Sequence, residues 1–265
     1  MTKFTQKFSL ILKSQWQSVF AYPGMLLIWM FDTFFAPLVM LVIWKMIILS
    51  GNGLKDQEEV ITSYYIILPL ISLVVSAWHS TFLAQSIRDG KLNTLLIKPI
   101  NPIVFDTTNN IAEKVLKMFF LLPMVIVGAL IFNAQLHSTG IRAVLFILSL
   151  VLAAIFRFIT EHLIGILGFW IEEVVSIKNL IDASSLAFGG WIVPLFLFST
   201  QLQEILKWLP FYYYGGFSLE ILVSPMPYIN IYIGILFQIG WTLLISMLTI
   251  FLWKKGVKKY SAYGG

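Results

Sequence analysis

The chain has no cysteine, only three histidines and few charges in its 265 residues. The first absence excludes disulfide frameworks, thiol nucleophiles and cysteine-ligated metal centres. The scarcity of charge says more. Asp, Glu, Lys and Arg make up 12% of the chain, against roughly 25% in an average soluble domain. Set beside 58% hydrophobic residues and a mean hydropathy of +0.86, this composition points to an integral membrane protein. The apolar runs are continuous rather than alternating, which selects α-helical spans over a barrel. Two catalytic signatures are also missing: there is no G-x-x-x-x-G-K-[ST] phosphate loop and no H-E-x-x-H pair, so no nucleotide is expected to be hydrolysed by this chain alone. His79, His137 and His162 fall in different predicted regions with no ligand spacing between them, and no metal site is expected.

The apolar runs predict about six spans, at 25–49, 61–85, 118–133, 143–170, 180–198 and 228–253. Ahead of them, Phe4, Phe8, Ile11, Leu12, Trp16 and Phe20 recur at helical spacing, with Lys3, Lys7, Lys13 and Gln17 on the other face. That pattern predicts an amphipathic helix over 3–21, lying in the headgroup plane. No cleavable signal peptide is apparent, and the first span is expected to direct its own insertion. Residues 199–227 are aromatic and interrupted by Pro210 and Gly215-Gly216; they are expected to form short re-entrant or interfacial helices. The whole of 1–265 reads as a single all-α transmembrane domain.

Between spans two and three lies a polar island, 86–117, reading SIRDGKLNTLLIKPINPIVFDTTNNIAEKVLK. Arg88, Asp89 and Lys91 would be costly in hydrocarbon, and Pro99 and Pro102 would leave backbone groups without partners there. The island therefore belongs at one membrane face. Lys and Arg choose the face. The termini, the island and the Lys178 edge carry Lys3, Lys7, Lys13, Arg88, Lys91, Lys98, Lys114, Lys117, Lys178, Lys254, Lys255, Lys258 and Lys259. The loops predicted on the other side carry only Lys55, Arg142 and Lys207. By the positive-inside rule the island and both termini are cytoplasmic.

Three kinds of candidate residue follow. Asp32, and the Arg157–Glu161 pair at i,i+4, are charges inside predicted spans and so are functional candidates, with a structural ion pair as the plain alternative. Pro210, Tyr212, Tyr213 and Tyr214 are candidates for an outer gate, with interfacial anchoring as the alternative. Glu172-Glu173 resembles the start of the glutamate pair of membrane CAAX-type proteases, but Ile177 stands where an arginine is expected and no histidine follows.

Ile87-Arg88-Asp89-Gly90-Lys91-Leu92, followed by Leu96, Lys98-Pro99 and Asn101-Pro102, resembles the IRxGxL…LLRPxxP signature of ABC-2 type transporter permeases. Asn110-Ile111-Ala112-Glu113-Lys114 is similar to that family's NLAEK stretch. Phe169-Trp170, Gly190 with Pro194-Leu195, Leu209-Pro210-Phe211 and the closing Tyr260-Ser261-Ala262-Tyr263-Gly264-Gly265 also fall where the family has like residues. Lys98 stands for the usual arginine, Asn93 for serine, and Pro23 where arginine is common. The resemblance implies a cytoplasmic coupling helix between spans two and three. It also implies a second permease, identical or paralogous, and two copies of a separate ATPase subunit that binds ATP and Mg. Arg88, Gly90, Lys91, Leu92, Leu96, Lys98, Pro99 and Pro102 would then couple to that ATPase, with Arg88 and Lys91 meeting an acidic cleft and Leu92 and Leu96 forming an apolar knob. Cargo would be hydrophobic or amphiphilic and exported across the cell membrane, without nucleic acid. An ion-coupled secondary transporter working through Asp32 or the Arg157–Glu161 pair is the main alternative, and an intramembrane enzyme the lesser one.

Overall fold

The computed structural model describes residues 9, 13, 17, 23–51, 53–97, 102–137 and 139–260. The rest of the expected interfacial helix 3–21 lies outside them, as do Lys98 and Pro99. All regular structure among the described residues is helical. In chain order the helices are α1 (Pro23–Leu49), α2 (Glu58–Val75), α3 (Ser80–Arg88), α4 (Leu92–Leu96), α5 (Pro102–Ile131), α6 (Gly140–Ile166), α7 (Val174–Phe188), α8 (Thr200–Leu206), α9 (Gly216–Val223) and α10 (Tyr228–Lys259). Short 3-10 turns at Lys55–Gln57, Leu167–Phe169, Leu195–Leu197 and Pro210–Tyr214 join some of them.

Five described stretches are long and apolar enough to cross a bilayer: Phe31–Leu49, Lys55–Arg88, Pro102–Ile131, Gly140–Phe169 and Tyr228–Lys259. The span expected at 180–198 takes a different form. Helix α7 has 15 residues, about 22 Å at 1.5 Å per residue, short of a hydrocarbon core of about 30 Å. It ends at the Gly189-Gly190 pair. Gly190 has φ +85°, and a Cβ there would stand 2.6 Å from the Tyr64 hydroxyl, so only glycine lets the chain turn against α2.

Helix α2 is the hub. In its stretch 72% of the apolar window is buried inside the protein, against 11% for α1. Tyr64, Tyr65, Ile66 and Ile71 are fully enclosed by α1, α5, α6 and α9. By contrast α1 buries a single stripe, Phe34, Leu41 and Ile48, at seven-residue spacing, and presents Phe31, Phe35, Val39 and Met46 outward. Outward apolar faces of this kind suit lipid tails. Between apolar helices in lipid, close packing replaces the hydrophobic drive, and small residues permit it. At Gly165 of α6 a Cβ would meet the Ser80 carbonyl oxygen at 3.0 Å and Leu83 at 2.9 Å, so α3 lies directly on the α6 backbone.

Two helix bounds depart from the hydropathy pattern. The span expected to begin at 118 is the second half of α5, which begins at Pro102. Proline at the first helical position is favourable, since its missing N–H has no intrahelical partner anyway. The span expected over 61–85 is divided: α2 stops at Val75, and α3 resumes at Ser80.

Candidate functional site

The polar island folds into a hairpin. Helix α3 ends at Arg88, the chain turns through Asp89, Gly90 and Lys91, and α4 follows. Gly90 sits at φ +75°, a left-handed conformation that makes the turn tight. Arg88 and Lys91 are exposed at the tip, and the Lys91 ammonium lies 3.0 Å from the Asp89 carboxylate. Leu96 is 38% and Ile97 84% exposed, so an apolar tip stands beside the basic one.

Leu92 departs from its expected place in that knob. It is fully buried, clustered with Leu83, Ile87 and Ile166 and flanked by Phe169, Leu252, Trp253 and Tyr260. Its side chain turns inward because α4 returns against the apolar ends of α6 and α10. Leu92 thus anchors the hairpin, and Leu96 with Ile97 forms its free apolar face. Pro102 is buried at the start of α5, where it sets the return into the membrane.

The division between α2 and α3 is held by α5. Each interrupted helix leaves carbonyls without intrahelical partners. Lys114 donates to the Val74 carbonyl at 2.6 Å, and Asn110 donates to that of Ser76 at 3.3 Å. The Trp78 indole N–H donates to Glu113, which also pairs with Lys117. Three residues of the Asn110–Lys114 stretch therefore serve one break. Sequence reasoning marked that stretch only by resemblance; its task could have been suspected from polar side chains recurring on one face of a helix.

Arg157 and Glu161 of α6 pair as expected, at 2.8 Å. The partner the sequence did not supply is Asp182 on α7, which Arg157 also meets and which Lys178 joins one turn away. The Arg157 guanidinium lies 5.2 Å from the Tyr214 ring centroid. Glu161 is fully buried. This network forms one wall of a cleft of about 390 Å³ whose other walls include Ser72, Ser76, Ser185 and Trp191. Asp32 takes no part: it is exposed on the outward side of α1, beside Phe31 and Phe35.

Tyr212, Tyr213 and Tyr214 are each about 2–3% exposed, and Tyr214 lines the cleft beside Arg157. Tyr212 donates to Glu220 at 2.7 Å, Tyr213 to the Lys207 carbonyl at 2.7 Å, and Tyr214 to the Thr160 hydroxyl at 3.4 Å. Arg142, at the far end of α6 from the hairpin, donates to the carbonyls of Ile221, Ser224 and Met226 and so caps α9. Pro210 opens the 3-10 turn that carries the tyrosines.

No curated protein and no solved structure matches this chain. A family model does, that of the ABC-2 family transporter proteins, over residues 27–264. The match takes in the hairpin, the clamped helix break, the Arg157 network and the broken segment before α10, and the chain is a multi-pass membrane protein belonging to the ABC-2 transporter family, whose members are the membrane subunits of ABC transporters.

Proposed function

We propose that this chain is the permease subunit of a split exporter, moving a hydrophobic or amphiphilic cargo with ATP hydrolysed by a separate ATPase subunit. The carrying observation is the hairpin: a basic tip, Arg88 and Lys91, beside an apolar tip, Leu96 and Ile97, on a base that Leu92 fixes to α6 and α10. Such a tip offers charge-assisted and apolar contacts to an acidic, hydrophobic cleft on a motor protein. The fixed base passes movement into the bundle. Two ATPase copies bind ATP and Mg, and a second permease, identical or paralogous, completes the pathway. Both termini are cytoplasmic and the membrane is the cell membrane.

In this arrangement α7, too short by itself, completes a sixth crossing together with the residues that follow it, 189–198. Its first residue, Val174, packs with Ala84 and Ile164 near the hairpin, and the residues just beyond its other end meet Tyr64 and Tyr65 far from it. An outer gate at 210–214 would open by breaking the Tyr212–Glu220 and Tyr213–Lys207 hydrogen bonds.

Reversal of charge in Arg88→Glu tests the reading. The variant is expected to insert normally and to lose both cargo-stimulated ATP hydrolysis and transport in reconstituted vesicles. Unchanged transport would overturn it. The cleft beside Arg157 and Asp182 favours one second reading, an ion-coupled transporter; uptake driven by a proton gradient without ATP would establish that instead.

A further inference from the structure

His79, Asp106 and His162 come from three different elements. His79 stands just before α3 at the helix break, Asp106 lies just over one turn into α5, and His162 lies in the last turns of α6. One donor atom from each falls within 4.8 Å of the other two. Both histidines are more than nine-tenths buried, at 6% and 3% exposure. Neither ring nitrogen of His79 has a hydrogen-bond partner, and Nδ1 of His162 has none either. Buried polar atoms are ordinarily paired, and an imidazole left bare at both nitrogens demands a reason.

We propose that these three side chains bind a divalent first-row transition-metal ion, zinc foremost. Two imidazoles and a carboxylate are the donors zinc takes when cysteine is absent, whereas magnesium and calcium prefer oxygen alone. Ligands about 2.1 Å from a tetrahedral zinc stand about 3.4 Å apart. The triad, whose donor atoms lie within 4.8 Å of one another, reaches that spacing by shifts of the order of an ångström. The surroundings support the assignment. Phe158 stacks on His79 at 4.4 Å between centroids, and the Trp253 ring lies 5.8 Å from His162, which together fix both rings. The cation whose charge would oppose a metal ion, Lys114, is engaged by the Val74 carbonyl at 2.6 Å. Asp106 supplies negative charge.

The bound ion would tie α3, the root of the hairpin, to α5 and α6. It would set how freely the hairpin moves against the bundle, a role independent of what docks at the tip.

The test is metal binding itself. The full chain, carried on a tag free of histidine and stripped with a chelator, is titrated with Zn²⁺ against a fluorescent zinc indicator. One equivalent per chain is expected to bind, with affinity reduced about a hundredfold in His79→Gln and His162→Gln and unchanged in His137→Gln. Co²⁺ in place of zinc should give visible absorption of four-coordinate cobalt, lost in the same two variants. Asp106→Asn, which keeps the side-chain shape, guards against misfolding: it is expected to keep the wild-type elution volume and bind zinc more weakly. Absence of stoichiometric binding to the wild-type chain would overturn the proposal, as would binding that survives intact in both His79→Gln and His162→Gln.

Discussion

Lys114 of α5 holds the carbonyl of Val74, the last residue but one of α2, at 2.6 Å. The contact supplies a partner where the helix stops. Replacing Lys114 by methionine keeps its length and removes the donor. The part-buried carbonyl then loses its partner, at a cost of about 1 kcal/mol. Thermal unfolding in detergent is expected to show a lowered Tm for Lys114→Met and a smaller loss for Lys114→Arg, which keeps donor and charge.

Leu92 and Leu96 lie one turn apart in α4 and serve different ends. Leu92 is fully buried and Leu96 is 38% exposed. Leu92→Ala removes the anchor and is expected to cost about 2–5 kcal/mol of stability. Leu96→Ala should change stability by less than about 0.5 kcal/mol yet weaken capture of the ATPase subunit in pull-down. Equal destabilisation by the two would contradict the division into base and tip.

Arg157 faces two carboxylates, Glu161 at 2.8 Å and Asp182. Arg157→Met leaves Glu161 buried without its counter-charge, and breaking such a pair on one side costs about 3–5 kcal/mol. The double variant Arg157→Met with Glu161→Gln is expected to recover much of that loss. Chemical unfolding of the single and double variants measures the recovery.

Glu220 lies in α9, outside the five long spans. Burial pushes its carboxyl up from 4.5 to about 7, against the hydrogen bond from Tyr212 that pulls it down. The folded chain therefore holds a proton that the unfolded chain has released between pH 4.5 and about 7. Its contribution to stability is complete below that window and lost as pH rises through it. Unfolding followed across that range should show stability falling with pH in the native sequence. Glu220→Gln is expected to remove that component of the slope.

The helical membrane class was legible from hydropathy because twenty apolar residues have few other uses. The break at 76–79 was not. Ser76, Ala77, Trp78 and His79 include no proline or glycine. Pro69, the residue that would announce a break, lies inside α2 instead. What sustains the break is tertiary: Lys114 and Asn110 reach it from α5, 40 and 34 residues along the chain. The start of α5 was hidden for the opposite reason. Asp106, Asn109, Asn110 and Glu113 lower the hydropathy of residues that are helical all the same, because a helix needs only its backbone bonds and a permissive first residue, here Pro102. Among the site residues, the i,i+4 pairing of Arg157 with Glu161 followed from helix geometry. Asp182, 25 residues from Arg157, and His162, 83 residues beyond His79, are joined by packing alone. The inward turn of Leu92 is likewise a matter of which surface lies above it.

A continuous helix works as a strut, delivering a push at one end undiminished to the other. The gap at 76–79 removes that path, because no ladder of i→i−4 bonds bridges α2 and α3. If the hairpin couples to a motor as proposed, force applied at Arg88 would travel first across the flank, into α6 where Gly165 lets the two backbones lie close, and into α5 through its clamp on the break. Helix α2, largely enclosed by its neighbours, would receive it from them. The drive shaft would then be the α5–α6 pair, and the central helix the part that is carried.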